Sequence, residues 1–447
     1  MIPFIIIIVF SIAYTALIFI DKELSVYYFI PYNYLFDLVF FTTNDSLAMV
    51  STVTRVLVLL AFFIQLNQQR FFNVSKPGFG MFIAVFFILL ISSIFSSQSV
   101  KSLLETIKFF LIIFSFFSFF IFYSYNLLNV ALLKKMVFLL ALITIVNILL
   151  SNIFSFGWGG YSDNVGFYTG GIISNMWYIP ALILSATIAV LNFHQRGPTL
   201  FLSIASIVIL MILIVALRRS AYIILVISAV SALIFLKLNL KVIRIAAVFL
   251  VLIALSSLVF LPILERQIEA RNKTFDKGVE EESRFKETTV LWTERLEATS
   301  TFTFLLGEKP FNSTGNYGKG SFGDRPLHVD MNIIFFSAGF VGLVLYSIFY
   351  ISIFIRYLIL LNKLPASYKD LFVYKYLFFA AFFSLIALSF SGGLNAITFR
   401  MFGFFLLAVA LGQMNYINAT RKTTYSRKPS SYRSQIAMKD HDSFMTI

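Results

Sequence analysis

The stretch Pro326-Leu327-His328-Val329-Asp330 runs directly into an apolar segment that opens with Met331-Asn332-Ile333-Ile334. It ends the polar residues 262–330, which interrupt a chain of otherwise nearly continuous apolar runs. These residues hold 22 of the 56 charged side chains, 10 of the 35 basic and 12 of the 21 acidic ones. A histidine and a carboxylate where a long polar loop meets an apolar run indicate chemistry at a membrane surface, because a plain pore or scaffold has little need of them.

The composition of the chain defines its class. Of its 447 residues, 59% are hydrophobic and 55 are Phe, which is too apolar for a soluble protein of this size. Apolar runs of about 17–25 residues recur, the length that an α-helix needs to cross the hydrocarbon layer, and they do not alternate as barrel strands do. The sequence therefore predicts an all-α polytopic membrane protein. The chain has no cysteine, which excludes disulfides and thiolate metal sites.

We predict twelve transmembrane helices with one large external loop between spans 9 and 10. The expected spans are 2–20, 49–66, 79–97, 105–125, 136–155, 175–192, 199–216, 220–236, 242–261, 331–355, 371–390 and 396–413. This divides the chain into spans 1–9 within 1–261, the loop 262–330, spans 10–12 within 331–413, and a basic tail 414–447. The tail is rich in Ser, Lys and Arg, and we predict that it is disordered.

The basic residues predict how the chain is oriented. Alternate connections between spans carry most of the Lys and Arg, and the opposite short connections carry very few. By the positive-inside rule both termini are expected in the cytoplasm and residues 262–330 outside. The net charge of +14 is explained by this sidedness and by attraction to anionic lipid headgroups, so we expect no nucleic-acid partner.

Several cations stand where the charge rule does not expect them. Arg218 and Arg219 separate two apolar runs on the predicted outer side. They either reach to lipid phosphates or, as we favour, bind an anionic group such as pyrophosphate through their guanidinium forks. Lys108 follows Glu105 by one helical turn, so an intrahelical ion pair and a ligand role are both open. Arg400, at the start of the last span, is open between an interfacial role and a ligand role.

Among the three histidines, only His328 is predicted to lie on the outer side, because His194 falls in a cytoplasmic turn and His441 in the tail. His328 precedes a helix, a favourable place for a catalytic base that must meet mobile substrates. Asp330 is the first alternative base. No second histidine, cysteine or spaced carboxylate cluster accompanies His328, so no metal is expected. The chain also has no P-loop to support ATP-driven work.

Short motifs surround the loop in a fixed order. Before it stand Gly170-Gly171-Ile172-Ile173-Ser174-Asn175 and Arg219-Ser220-Ala221; within it, Arg284, Trp292 and Phe304-Leu305-Leu306-Gly307; at its end, His328-Val329-Asp330 and then Ala338-Gly339-Phe340-Val341-Gly342. Together, over about residues 165–345, they resemble the motifs of the O-antigen polymerase/O-antigen ligase family. Val329 stands where that family has an asparagine, and Arg218 is an additional cation.

The resemblance implies a C-type glycosyltransferase on the outer face of the bacterial plasma (inner) membrane, inverting, metal-independent and without a cofactor. Its partners would be an undecaprenyl-pyrophosphate-linked oligosaccharide and the lipid bilayer, and it allows a chain-length regulator and a flippase of the same pathway. A polymerase of repeat units and a ligase that transfers finished glycan to lipid A-core both fit, and we favour the polymerase. A lipid-linked oligosaccharide flippase or transporter is the alternative outside enzymes.

The roles expected from this resemblance are as follows. His328, or else Asp330, is the catalytic base, and the pyrophosphate is bound by Arg219, Arg218, Arg284, Lys108 and Arg400. Arg284 belongs to a helix that we predict over residues 283–300, lying over the bilayer and covering the cleft. The apolar stripe of that helix is imperfect and consists of Phe285, Val290, Leu291, Leu296 and Ala298.

Overall fold

The computed structural model describes the protein as helical. It describes residues 2–39, 45–67, 70–96, 98–155, 178–194, 200–216, 218–236, 265, 283–297, 300–318, 326–364, 368, 370–390, 392, 394 and 396–426. Within these ranges the protein contains α-helices and no strand. The predicted ninth span, the motif at 170–175 and residues 427–447 of the tail lie outside the described residues.

The described residues form fourteen helices, which we number in chain order. They are α1 (Ile2–Ile20), α2 (Lys22–Val39), α3 (Asp45–Asn67), α4 (Phe79–Ile94), α5 (Ser99–Tyr125), α6 (Val130–Ile153), α7 (Tyr178–Asn192), α8 (Leu200–Ala216), α9 (Arg219–Phe235), α10 (Ser283–Glu297), α11 (Thr301–Leu306), α12 (Asp330–Leu361), α13 (Leu371–Ser389) and α14 (Ile397–Ser426). The tail that we predicted to be disordered from residue 414 is therefore helical as far as Ser426.

The apolar helices indicate a membrane protein. Six described segments are long and apolar enough to cross a bilayer: Met49–Leu66, Ser99–Tyr125, Val130–Ile153, Asp330–Leu361, Leu371–Ser389 and Ile397–Arg421. Five shorter apolar helices accompany them: Ile5–Ile20, Phe79–Ile94, Tyr178–Asn192, Leu200–Ala216 and Arg219–Phe235. Large apolar side chains on their outer faces are exposed, for example Ile12, Leu149 and Val226, as expected of side chains that face lipid.

The helix α2 was not predicted, because we had assigned its residues to an external connection. It contains Lys22, Glu23 and Asp37, and Pro31 lies inside it. Its 18 residues extend about 27 Å, close to the thickness of the hydrocarbon layer. It packs on α1, α6 and α14 and buries Tyr27 and Tyr34, so a polar sequence is compatible with its position inside the bundle.

The position of α2 determines where the first described residues lie relative to the last. The Tyr27 hydroxyl accepts a hydrogen bond from the N–H of Asn129, and Tyr27 packs on Tyr123 at the end of α5. At the other end of α2, Asp37 accepts a hydrogen bond from Thr398 at the start of α14. We call this end, which also carries the polar loop, the loop end.

The two ends of the described chain lie at opposite ends of the bundle. Because α1 and α2 are antiparallel, joined by the Tyr14 hydroxyl donating to the Ser25 carbonyl at 2.5 Å, α1 begins at the loop end. α14 begins at the loop end and finishes at the other, where the Gln413 amide donates to the carbonyl of Tyr123. One unpredicted helix thus reverses the side of the first residues relative to the last.

α14 is the centre of the bundle. Every residue from 397 to 414 is buried. α5 packs along it most extensively, with T-shaped ring contacts such as Phe119 on Phe405. α2, α7, α12 and α13 also contact it.

α12 is broken at Gly339, whose φ of 65° and ψ of −168° are not helical. This region of backbone conformation is essentially restricted to glycine. The break separates residues 330–338, which pack with the loop, from residues 340–361, which extend roughly 33 Å and suffice to cross a bilayer. Gly307 lies against the break: a Cβ at Gly339 would lie 2.3 Å from the Leu305 carbonyl, and one at Gly307 2.5 Å from the Ser337 backbone.

We expect Gly339→Ala to detach the loop from α12, because the added Cβ meets backbone and the conformation is strained. The cost should be at least about 1–3 kcal/mol, as for other overpacked sites. Protease cleavage between residues 283 and 329 and thermal unfolding of the detergent-solubilised protein measure it. Gly80→Ala is the control, since a Cβ at Gly80 meets nothing within 4 Å. Equal cleavage of the two variants would contradict this account of the break.

Candidate active site

The polar loop packs onto the first part of α12 through aromatic side chains. Trp292 stacks on Phe335 with ring centroids 4.4 Å apart, and Phe304 stacks on Phe340 at 5.6 Å. Leu291 and Tyr317 are buried in the same cluster. The described part of the loop is therefore a small packed unit that continues into α12.

The predicted loop helix is confirmed as α10, but its predicted apolar stripe is wrong in part. Phe285 and Leu296 are 59% and 66% exposed. The face that α10 buries contains Glu287, Leu291 and Arg295, which recur at helical spacing. The buried face of α10 is thus partly ionic.

Glu287 holds the segment that carries His328. Its Oε1 accepts hydrogen bonds from the backbone N–H of His328 at 2.9 Å and of Val329 at 3.3 Å. The side-chain amide of Asn332 lies 3.4 Å from the same oxygen. The second oxygen, Oε2, lies 3.5 Å from Nδ1 of His328, and the Glu287 side chain is wholly buried while that of His328 is 40% exposed.

The local sequence explains why a carboxylate from another helix lies here. Val329 caps α12 and has no polar side chain to accept a hydrogen bond from the backbone. A negative charge is favourable at a helix N-terminus because of the helix dipole. Burial raises the pKa of Glu287, but the hydrogen bonds from His328, Val329 and Asn332 outweigh it and hold that pKa below its usual value.

This geometry suits proton transfer. A carboxylate beside Nδ1 favours the imidazole tautomer that carries its proton on Nδ1, so that Nε2 keeps a lone pair to accept a proton. The ring is half-exposed and its partner is buried, so a substrate can approach the ring and not the carboxylate. Buried carboxylates orient catalytic imidazoles in this way in several enzyme classes.

Asp330, two residues after His328, forms a buried ion pair with Arg400. Both side chains are at most 1% exposed. The guanidinium of Arg400 also donates to the Leu385 carbonyl at 3.1 Å and lies over the Phe399 ring. The sequence alone leaves Arg400 open as a pyrophosphate ligand and Asp330 as a second base, whereas in the structure each is the other's partner.

A second ion pair lies at the same end of the bundle. Arg55 is buried, 2.6 Å from Asp37, and its guanidinium lies 5.0 Å from the centre of the Phe36 ring. Asp37 also accepts the hydrogen bond from Thr398, which is two residues before Arg400 on α14. The two pairs therefore connect α2, α3, α12 and α14 at the loop end.

The remaining predicted cations have different positions. Lys108 forms an ion pair with Glu105 at 2.5 Å, which is the intrahelical alternative that the sequence left open. Arg284 is half-buried on α10, one turn before Glu287. Arg218 and Arg219 are half-buried at the start of α9.

The start of α9 lies at the loop end of the bundle. α7 begins there, since Tyr178 packs on Phe399 with ring centroids 4.7 Å apart. α8 returns beside α7, with Ser206 3.2 Å from Thr187, so α8 ends and α9 begins at the loop end. The arginines of α9 and the Glu287–His328 pair therefore share one end of the protein.

Glu287 was not predicted from the sequence. It is one of twelve acidic residues between 262 and 330, and 41 residues separate it from His328, so no spacing distinguishes it. Among the residues that the structure describes, no three His, Asp or Glu side chains lie close enough to hold a metal ion. No known protein-family model matches the chain, and no curated protein matches it.

The lowered pKa of Glu287 predicts that the loop detaches in acid. A carboxylate with a depressed pKa in the folded protein stabilises it fully above its ordinary pKa of about 4.3, and this contribution is lost as the pH falls through the depressed value. Hydrogen–deuterium exchange of residues 326–332, measured between about pH 6 and pH 3 and corrected for the intrinsic rate, should show protection falling below about pH 4. In Glu287→Gln the protection of residues 326–332 should be lower at every pH and should show no further fall below about pH 4. A step that persists in Glu287→Gln would assign it to another carboxylate, and Glu297→Gln, at an exposed site on the same helix, is the control.

Proposed function

We propose that the protein is a C-type glycosyltransferase: a polymerase that joins undecaprenyl-pyrophosphate-linked oligosaccharide repeat units into O-antigen or capsular polysaccharide. It would act on the outer face of the bacterial plasma (inner) membrane, where we place the loop end. The observation that carries the proposal is the Glu287–His328 pair, a half-exposed imidazole held by a buried carboxylate where the polar loop joins a membrane helix.

The acceptor half of the reaction needs a base. A sugar hydroxyl becomes a competent nucleophile when its proton is removed as it attacks, and histidine suits this near neutral pH. His328 would take the proton on Nε2, with Glu287 stabilising the imidazolium that forms. Asp330 supports this role less well, because it is buried in its pair with Arg400.

The donor half of the reaction needs fixed cations. The leaving group is a lipid-linked diphosphate, whose developing charge is stabilised by preorganised donors at headgroup depth. Arg219, Arg218 and Arg284 are half-buried cations of the loop end and suit this role. Lys108 and Arg400 suit it less well, since each pairs with a carboxylate.

The two alternative functions, a ligase and a flippase or transporter, fit the site differently. A ligase that transfers finished glycan to lipid A-core uses the same donor and needs the same base and cations. A flippase or transporter commonly binds its substrate near the bilayer midplane, between repeated halves. The charges of Asp37, Arg55, Asp330 and Arg400 lie instead at the loop end, which favours surface chemistry.

Deletion of the gene separates the two enzymes. Cells without a polymerase should carry lipid A-core with a single repeat unit. Cells without a ligase should accumulate long chains on the undecaprenyl carrier. Unchanged surface glycan would contradict both.

We expect His328→Ala to lower the rate of polymer formation by about 10²–10⁴-fold, the usual loss for a positioned base, while donor binding persists. Proteoliposomes with lipid-linked repeat units and gel analysis of chain length measure it. His194→Ala is the control, because His194 lies at the opposite end of the bundle, where its N–H donates to Asp370. Polymer formation at the normal rate in His328→Ala would remove His328 as the base.

Arg219→Lys should sharply lower activity although the charge remains, because Lys loses the bidentate fork that fits a diphosphate. Arg218→Lys should have a smaller effect, since Arg218 precedes α9 in an extended conformation and is not part of the helix that carries Arg219. The same proteoliposome assay compares them, with membrane insertion checked by immunoblot. Full activity of Arg219→Ala would contradict this role.

A further inference from the structure

A cavity of about 170 Å³ lies within the packed loop, outside the Glu287–His328 pair. One wall is α10 and the other is formed by residues 308–317 and the first part of α12. Its lining includes Glu294, Arg295, Glu308, Asn316, Tyr317 and Phe336. We call this space the loop cavity. It is smaller than the roughly 300–1,000 Å³ of sites for drug-sized ligands, so it suits a single ring.

The walls combine polar groups with aromatic faces. Glu294 and Glu308 supply carboxylates, Asn316 an amide and Tyr317 a phenol, beside the ring of Phe336. Several of these groups are already fixed. The Glu294 Oε2 accepts from the N–H of Gly318 at 2.8 Å, and Asn316 accepts from Lys309 at 2.7 Å.

Arg295 is the cation in the lining of the loop cavity. Its side chain is 3% exposed, lies over the Phe336 ring at 4.6 Å and is 3.4 Å from a carboxylate oxygen of Glu308. Burial lowers the pKa of Arg295, but guanidinium groups stay charged in proteins. The lining therefore carries two negative charges and one positive charge, which disfavours an anionic ligand.

The loop cavity lies on the same face of α10 as Glu287. Glu294 follows Glu287 by seven residues, or two turns, which places it about 10 Å along the helix. A sugar ring bound in the loop cavity would lie one or two sugar units away from the sugar whose hydroxyl faces His328. The glycan between them would then follow the face of α10 that carries Glu287 and Glu294.

We propose that the loop cavity binds one neutral sugar ring, a hexose or an N-acetylhexosamine, of the glycan that carries the acceptor hydroxyl. The inference rests on the proposed function for the identity of the glycan, whereas the binding of a neutral sugar rests on the cavity alone. The carboxylates of Glu294 and Glu308 can accept hydrogen bonds from sugar hydroxyls. The same two charges disfavour an acidic sugar.

The test is saturation-transfer NMR on the full-length protein in lipid nanodiscs. The probes are glucose, N-acetylglucosamine and glucuronic acid. We expect transfer to one or both neutral sugars and none to glucuronic acid. Glu294→Gln should weaken binding by about tenfold, since it loses a charge-assisted hydrogen bond while its amide oxygen can still accept from Gly318. Glu297→Gln, at an exposed site three residues further along α10, should bind as the unaltered protein does.

The outcomes separate this inference from the proposed function. Absence of transfer to both neutral sugars, equal transfer to glucuronic acid, or unchanged binding in both Glu294→Gln and Glu308→Gln overturns the cavity proposal. Glu308→Gln serves if Glu294→Gln does not fold, because the Glu308 side chain is 39% exposed. His328→Ala should bind the sugar normally while polymer formation is lost. Normal sugar binding together with normal polymer formation in His328→Ala would overturn the role of His328 as the base. The cavity proposal would be unaffected.

Discussion

The buried ion pair between Asp330 and Arg400 is the constraint on which the loop end depends. Two charges in an apolar bundle are tolerated only when they satisfy each other, and removing one partner of such a pair typically costs about 3–5 kcal/mol. Asp330 is the first residue of α12 and Arg400 is inside α14, so the pair fixes where the loop enters the bundle. His328 stands two residues earlier. Its carbonyl lies so close to Gly392 that a Cβ there would approach it to 1.9 Å.

Hydropathy predicted the apolar helices well, because side chains that face lipid must be apolar along a whole span. It failed for α2, which buries Tyr27 and Tyr34 between other helices and uses Asp37 to pair with Arg55. Such a helix is stabilised by partners that are distant in sequence, and a window of local hydropathy does not contain them. An additional helix also reverses the end of the bundle at which the first described residues lie relative to α14.

The candidate site was predictable only in part. His328 was found because it is a rare residue at an obvious boundary. Glu287 was not, because its importance comes from a contact across 41 residues that only the folded loop creates. For Arg400 the sequence showed a charge at the start of an apolar run, and only the structure showed the carboxylate that it faces. Residue type thus identifies candidates, and tertiary contacts assign their partners.

The central position of α14 has a consequence for biogenesis. Every other described helix precedes α14 in the chain, yet residues 397–414 form the longest run of consecutive buried residues that the structure describes. The helices that pack on α14, namely α2, α5, α7, α12 and α13, are therefore made before this partner has been synthesised. The apolar helices among them can remain in lipid until then, as the two-stage view of membrane folding requires. Packing around α14 is consequently a late event, and a chain that stops before α14 lacks the helix on which these five pack.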